Sequence, residues 1–205
     1  MKERPILFSG PLVREIRAGL KNVTRRPMKP QPEAGRWPCN QVRSMLDIDG
    51  TEICFWSPYG WPRSENHRHG ERLWVRETHL VRGAGAHVIY RADLDPVEAT
   101  GVGAMYGGWR PSIFMRREHS RLLLEVLAVR VERLRSITCD EIRREGLSCP
   151  VHDFPGGFCH GECGALREHF YGGWDALYSR KPELHAERDP WLWVVDFKLL
   201  EDTTA

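Results

Sequence analysis

The sequence has little lysine, little net charge and no long apolar run. Only five of its 30 basic residues are lysines, and the net charge is +2 at pH 7. So small a charge excludes a protein that coats nucleic acid through bulk electrostatics. No apolar run approaches the roughly 18–20 residues of a membrane-spanning helix, and the N-terminus lacks the layout of a secretory signal. We therefore expect a cytoplasmic protein with no membrane partner.

Cysteine is also too sparse for a disulfide framework. Six cysteines in 205 residues are far from the density of small secreted domains, and a reducing compartment would keep them as thiols or metal ligands. With 41% hydrophobic residues, the chain can form one domain with a substantial core. We predict a single domain over 1–205, with insertions near 27–70, 92–108 and 147–164, where loop-like sequence predominates.

The first half of the chain predicts short strands separated by loops. A strand at 6–8 precedes a helix that Ser9 caps and Gly19 ends. Asp49-Gly50 predicts a two-residue hairpin turn between strands 45–48 and 51–54. Residues 73–78 alternate as a strand that is expected to pair with 88–91, and the glycine-rich stretch 92–108 is expected to be a flexible excursion.

The second half predicts two strands and two helices. Residues 121–134 are apolar on both faces, as in a central strand, and a capping box predicts a short helix over 138–146. A second helix is predicted over 165–178, and alternating aromatic residues over 191–199 predict a closing strand. These elements predict an α+β fold in which a closed or nearly closed β-barrel carries peripheral helices.

A short basic loop, Gly-Leu-Lys-Asn-Val-Thr-Arg-Arg, is predicted to follow the first helix at residues 19–26. Lys21, Thr24 and Arg26 bring an amine, a hydroxyl and a guanidinium together in this loop. Such a set can converge on one small polar ligand. The alternative is an ordinary solvated basic loop.

Gly19-x-Lys21-x-x-Thr24-x-Arg26 resembles the Gly-x-Lys-x-x-Thr-x-Arg signature of ASCH domains, small relatives of the PUA RNA-binding fold. Further blocks resemble the phage and prophage branch of that family, in the order 6–11, 70–78, 109–113, 129–134 and 191–197. The resemblance implies a PUA-like pseudo-barrel enlarged by insertions.

Some small bacterial ASCH proteins are amidohydrolases that remove the acetyl group from N4-acetylcytidine. The resemblance carries their catalytic lysine and threonine onto Lys21 and Thr24, and their glutamate onto Glu145. From the chemistry of these groups we expect Thr24 to be the nucleophile and Lys21 the base, while Glu145 orients the lysine or activates water. Arg26 would hold a carbonyl oxygen or a phosphate, and catalysis would require no cofactor.

Glu77 and Trp74 are two further candidates for contact with a substrate. Glu77 ends a predicted strand, where it can accept hydrogen bonds from the amino edge of a base; the alternative is an ion pair with Arg72 or Arg76. Trp74 can stack on a base, and Trp109 and Trp191 are rivals for that role. For any one tryptophan, core packing is the simpler interpretation.

Cys149, His152, Cys159 and Cys163 form a second distinctive cluster of four soft donors within fifteen residues. Such a set can close tetrahedrally around a structural zinc ion. The spacing differs from that of a standard zinc finger, and reduced surface cysteines are the alternative. The His-x-Glu and Pro-Cys-x-x-Cys pattern of zinc-dependent nucleoside deaminases is absent.

The sequence thus predicts recognition of a nucleoside or nucleic acid, RNA in preference to DNA, in a basic pocket. Amidohydrolase activity on an N4-acylated cytidine is the most specific form of this hypothesis. The alternative is a non-catalytic RNA- or DNA-binding module in which Lys21 and Arg26 bind phosphate. A ribonuclease is a weaker alternative, because the sequence has no recognisable metal-carboxylate or paired-histidine nuclease motif.

Overall fold

The structure, a computed structural model, describes residues 3–29, 31, 43–46, 52–55, 69–83, 87–151 and 162–203. Within these ranges the α-helices are α1 Gly10–Arg17, α2 Pro96–Met105, α3 Cys139–Arg144 and α4 Gly164–Leu177. The strands are β1 Glu3–Leu7, β2 Val23–Pro27, β3 Arg43–Leu46, β4 Glu52–Phe55, β5 Arg72–Arg76, β6 His79–Arg82, β7 His87–Tyr90, β8 Leu122–Arg133 and β9 Trp191–Asp202. Short 3-10 turns link several of these elements. The predicted α+β class is confirmed.

Five of the strands form a mixed sheet in the order β1-β5-β8-β9-β2. Strand β1 runs parallel to β5, whereas β5 is antiparallel to β8 and β2 is antiparallel to β9. Strands β3 and β4 form one antiparallel pair, and β6 and β7 form another. None of the helices in the described ranges has the length and apolar character that would be needed to cross a bilayer.

The chain divides into two compact units, each assembled from separate stretches of sequence. The first unit comprises Met1–Asn22, His69–Leu127 and Phe197–Ala205, and the second comprises Val23–Arg68 and Ala128–Asp196. The division falls within β8 and β9, so each of these strands contributes residues to both units. The units are described separately below.

In the first unit, α1 forms where the sequence predicts it. Val13 and Ile16 are buried at helical spacing, because residues three apart lie on the same face of a helix. Ser9 occupies the N-cap position without a side-chain hydrogen bond, and Gly19 ends the turn after the helix with a φ of +74°. A positive φ of this size favours glycine, which has no Cβ to clash.

The core of the second unit packs α3 and α4 against the sheet. Its cluster includes Ile142 from α3, Leu192 from β9, and Leu166, Phe170 and Trp174 from α4. The indole of Trp174 also donates a hydrogen bond of 2.7 Å to the carbonyl of Leu184, which satisfies its only polar atom. Leu166, Phe170 and Trp174 thus form a buried apolar stripe along α4, whereas Leu177, the last residue of the helix, is 68% exposed.

Both helices of the second unit lie close to the predicted ranges. Thr138 and Glu141 form the predicted capping box of α3, with the Thr138 hydroxyl accepting from the Glu141 N–H at 3.2 Å. Gly146 then leaves the helix at a φ of +83°. The predicted hairpin strands are confirmed as β3 and β4, whereas Asp49-Gly50 lies outside the described residues.

Three local predictions were wrong, and the first concerns the basic loop. Thr24, Arg25 and Arg26 lie on strand β2, not in a loop, and they pair with β9. The reason is local as well as tertiary: Val23 and Thr24 are β-branched and buried, which suits a strand with a packed neighbour.

The second error concerns strand pairing. Strand β5 pairs with β1 and β8, while β7 pairs with β6. Of the predicted pairing of 73–78 with 88–91, the structure shows the hydrogen bond of 3.0 Å from the Arg91 N–H to the Thr78 carbonyl. The third concerns residues 92–108, which contain α2 in place of a flexible excursion. The Asp95 side chain accepts hydrogen bonds from the N–H groups of Val97 and Glu98 at 2.8 and 2.9 Å, and the Glu98 carboxylate accepts one from the Asp95 N–H at 3.2 Å. This capping box outweighs the low helix propensity of the glycines.

Candidate functional site

Lys21 lies in the first unit, directly after α1, and is only 2% exposed. Its backbone N–H donates to the carbonyl of Glu15 at 3.0 Å, and its Nζ lies 5.6 Å from the centre of the Phe8 ring. A cation over an aromatic face is stabilised by the ring quadrupole, whereas burial penalises the charged form of an amine. A lysine this deeply buried is unusual and is a candidate for a special role.

Thr24 and Arg26 lie in the second unit on β2. Thr24 is 3% exposed and is opposite Val195 of β9, while Arg26 is opposite Trp193. The Arg26 side chain forms a hydrogen bond with Tyr178. Burial raises the pKa of the Tyr178 hydroxyl, and the Arg26 charge acts in the opposite direction. Arg26 is therefore only partly available to an outside ligand.

Arg25, between these two residues, contacts several carboxylates. Its Nη2 donates to Oε2 of Glu132 at 3.1 Å and lies 2.9 Å from Oε2 of Glu141. Its Nη1 donates to Oε1 of Glu145 at 3.2 Å. With 3% exposure, Arg25 is a buried charge that several carboxylates neutralise. Sequence reasoning missed this role, because one arginine is inconspicuous in a chain so rich in arginine.

The ion-pair network of the second unit extends outward from Arg25. Arg130 contacts Glu132, Glu141 and Asp196, and Arg144 also contacts Asp196. Burial alone would lower the pKa of Arg130, but its hydrogen bond to Glu132 and the nearby carboxylate charges raise it overall. We name this set the Arg25 network; it comprises Arg25, Arg130, Arg144, Glu132, Glu141, Glu145 and Asp196.

Glu145 is the predicted catalytic residue that the network holds. It occupies the C-cap position of α3 and is 7% exposed. Because side chains alternate along a strand, Thr24 and Arg25 leave opposite faces of β2. Glu145 accepts a hydrogen bond from Arg25, and the Thr24 side chain leaves the opposite face of β2.

Glu77, in the first unit, is part of a different buried cluster. Its two carboxylate oxygens accept hydrogen bonds of 2.8 and 2.9 Å from Arg121, which also donates to Asp93 at 2.6 Å. Burial raises the pKa of Glu77, and the Arg121 hydrogen bonds act in the opposite direction. The ring of Tyr90 covers the Arg121 guanidinium at 3.9 Å. The ion-pair partner of Glu77 is thus Arg121, not the neighbouring Arg72 or Arg76.

The three tryptophans considered for base stacking differ in exposure. Trp74 is 8% exposed, packs with Met115 and Leu123, and has the Arg76 guanidinium 4.7 Å from its ring. Trp191 is 7% exposed in another apolar cluster. Only Trp109 of the three is partly exposed, so its ring is the one that a base can reach without repacking of the core.

Trp109 lines a surface groove of about 430 Å³ in the first unit. The groove is lined by Arg91, Ala99, Thr100, Gly103, Ala104, Gly107, Gly108 and Trp109. The indole Nε1 donates to the carbonyl of Ala99 at 2.8 Å, and a Cβ at position 103 would lie only 2.8 Å from that nitrogen. Glycine at 103 is therefore what allows the indole to lie against α2.

Two of the four predicted metal ligands are described. Cys149 and Cys163 are buried, with their sulfurs 3.7 Å apart. His152 and Cys159 lie outside the described residues. Within the described ranges, no three His, Cys, Asp or Glu side chains are grouped as a metal site would require.

In comparisons with models of protein families, with curated proteins and with solved structures, nothing matched the chain.

Proposed function

We propose that this chain is an ASCH-type, PUA-like protein that recognises a nucleoside or nucleic acid, RNA in preference to DNA. We propose further that it hydrolyses the acyl amide of an N4-acylated cytidine. One observation carries this proposal. Lys21, Thr24 and Glu145, which the motif resemblance selects, are three of the eight buried polar or charged residues found in the described part of the chain.

Burial of these groups supports a specific role because it is costly. Lysine and glutamate are almost never fully buried unless they are paired or used in chemistry. The mixed five-stranded sheet with surrounding helices supports the PUA-like part of the proposal.

In the proposed reaction, the Thr24 hydroxyl attacks the carbonyl carbon of the acyl group, and Lys21 in its neutral form takes the hydroxyl proton. The bond between that carbon and N4 of cytosine then breaks, and the Lys21 ammonium returns the proton to N4. Water hydrolyses the resulting ester on Thr24, which releases the carboxylic acid and restores the hydroxyl. One water is consumed, and cytidine and the acid are the products.

Glu145 has an orienting or water-activating role in this scheme. The Arg25 hydrogen bond fixes one of its oxygens, and such fixation is what orientation of a reacting group requires. Because Thr24 and Arg25 leave opposite faces of β2, we do not assign Glu145 a hydrogen bond with the Thr24 hydroxyl. We assign it to water or to the lysine.

The test is release of acetate from N4-acetylcytidine, free and within an RNA oligonucleotide. We expect Lys21→Ala and Thr24→Val to lower kcat by about 10²–10⁴-fold, the usual contribution of a base or its partner. Lys29→Ala, at an exposed lysine nearby, is the matched control and is expected to keep full activity. A wild-type protein inactive on every N4-acylated cytidine tested would overturn the hydrolase proposal.

A non-catalytic RNA- or DNA-binding module is the second candidate, and the Trp109 groove favours it. A partly exposed indole next to the exposed Arg91 supplies a stacking surface and a cation for phosphate. Oligonucleotide affinity that falls steeply with salt, without turnover, is the expected result for this candidate.

A further inference from the structure

We propose that Cys149 and Cys163 are a redox-sensitive pair, which a hydroperoxide converts into a disulfide that joins the chain after α3 to the start of α4. Both residues are thiols in this structure. The proposal is independent of the enzymatic one, because neither sulfur has a part in the reaction described above. It rests on the distance between the two sulfurs and on the way the second unit holds the residues that carry them.

The two sulfurs are already in contact. Sγ of Cys149 lies 3.7 Å from Sγ of Cys163, although the residues are 14 positions apart in the chain. A disulfide bond brings its sulfurs to about 2.05 Å, so the pair has to close by roughly 1.7 Å. Rotation about the side-chain bonds of the two cysteines can supply a movement of this size.

The fold holds both cysteines side by side before any oxidation. Cys163 is the N-cap residue of α4, and its backbone N–H donates a hydrogen bond of 3.0 Å to the sulfur of Cys139, the first residue of α3. Cys149 belongs to the same buried cluster as Ile142 of α3 and Leu166 of α4. Because packing fixes the two thiols next to each other, their effective concentration is high, which favours a bond between them over one with a thiol of another molecule.

The pair lies directly beneath the surface of the second unit. Cys149 is 2% exposed and Cys163 is 7% exposed, yet the residues on either side of each cysteine in the chain are exposed. A small oxidant therefore has a short path to the sulfurs. Cys163 is the more exposed of the two, and the dipole of a helix stabilises a thiolate at its N-terminus. We expect Cys163 to react first.

The oxidation proceeds in two steps that conserve atoms and electrons. The Cys163 sulfur attacks one oxygen of the hydroperoxide, the O–O bond breaks, and an alcohol leaves, so that Cys163 becomes a sulfenic acid. The Cys149 sulfur then attacks the Cys163 sulfur, the S–O bond breaks, and water leaves. Two thiols and one hydroperoxide thus give one disulfide, one alcohol and one water. Two electrons pass from the sulfurs to the peroxide, and a thiol reductant returns them.

The experiment treats the full reduced chain with hydrogen peroxide and follows its intact mass and its Tm. We expect the protein to lose the mass of two hydrogen atoms and a thiol reductant to restore it. The Tm is expected to rise by about 5–10 °C, because a cross-link over a loop of this length constrains the unfolded chain.

A non-reduced digest of the wild type then locates the bond. Cleavage before Asp153 and after Glu162 places Cys149, Cys159 and Cys163 in three separate peptides. We expect the peptides of Cys149 and Cys163 to remain joined until reductant is added. This measurement requires no substitution, so it decides the pairing even if a variant fails to fold.

Three substitutions test the same pair in the intact protein. Cys149→Ser and Cys163→Ser are each expected to abolish the change in mass and the rise in Tm. Cys139→Ser is the matched control, since Cys139 is buried in the same cluster, and it is expected to keep both responses.

Wild-type protein that stays fully reduced in peroxide would overturn the proposal. So would a disulfide that joins a different pair of cysteines, or a joined pair that leaves the Tm unchanged. None of these outcomes bears on acetate release, which is measured on the reduced protein.

Discussion

Arg25 donates a hydrogen bond of 3.2 Å to Glu145 and so joins strand β2 to the residue that ends helix α3. The two positions are 120 residues apart in the chain. Both belong to segments that the sequence singles out, yet the pairing itself is a product of the fold. Since Arg25 also contacts Glu132 and Glu141, one guanidinium holds several buried acids in place.

We predict that Arg25→Met destabilises the protein by about 3–5 kcal/mol, because the buried Glu132 and Glu145 lose their shared cation. Urea unfolding measures the change in the free energy of unfolding. Arg26→Met on the same strand is the control, and it is expected to lower that free energy by less than about 1.5 kcal/mol. If the two variants were equally stable, the Arg25 network would contribute little to the stability of the folded protein. A double variant, Arg25→Met with Glu132→Leu, is expected to recover part of the loss, since it removes one of the unpaired charges.

Local sequence patterns predicted the second half of the chain well. Strand β8, helices α3 and α4, and strand β9 all follow from periodicity and caps within a single segment. The parallel pairing of β1 with β5 did not follow, because its residues are distant in sequence and leave no local pattern. Helix α2 did not follow either, because its glycines have low helix propensity; the capping box that begins at Asp95 is the local signal that opposes them.

The candidate site was predictable to the extent that a motif marks it. The family resemblance selected Lys21, Thr24 and Glu145, and all three are buried. Arg25 and Glu132 were not predicted. Glu132 is buried in β8, a strand of mostly apolar residues, and an acid buried there requires a cation nearby. The identity of that cation depends on tertiary pairing.

His79 is expected to make the free energy of unfolding depend on pH below about 6.5. The ring is fully buried, its Nδ1 lies 3.2 Å from the carbonyl of Glu77, and its Nε2 has no hydrogen-bond partner among the described residues. Burial lowers the pKa of His79 below its ordinary 6.5; the Glu77 carbonyl acts in the opposite direction, and the nearby His119 and Arg110 act in the same direction as burial.

The direction of this pH dependence follows from the linkage between proton binding and folding. The unfolded chain protonates this histidine more readily than the folded one, so the free energy of unfolding falls as the pH drops below about 6.5 and levels off below the folded pKa. Unfolding by urea across this range tests the effect. His79→Gln is expected to flatten the dependence, whereas His169→Gln, at an exposed histidine of α4, is expected to leave it intact. A slope unaltered by His79→Gln would contradict this assignment.

Two glycines of α2 should respond in opposite ways to alanine. At Gly101 an added Cβ meets nothing within 4 Å, so Gly101→Ala is expected to stabilise the protein by about 0.5–1 kcal/mol through helix propensity. At Gly103 the same Cβ would lie 2.8 Å from Nε1 of Trp109, whose hydrogen bond to Ala99 holds the indole in place. Gly103→Ala is expected to destabilise by about 1–3 kcal/mol. Thermal unfolding of the two variants measures the change in Tm that each causes. Equal changes in Tm would mean that Trp109 does not pack on α2.

Two substitutions in the Trp109 groove can distinguish base stacking from phosphate contact if the groove binds nucleic acid. Trp109→Leu is expected to weaken binding of a single-stranded RNA oligonucleotide by about 1–3 kcal/mol with no change in salt dependence, because stacking involves no counterion. Arg91→Ala is expected to weaken binding and to reduce the slope of log affinity against log salt by about one, as loss of one phosphate contact should. Arg116→Ala, at an exposed arginine outside the groove lining, is the control for nonspecific charge. If Arg91→Ala and Arg116→Ala lowered affinity and slope equally, binding would depend on overall charge and the groove would not be the site of contact.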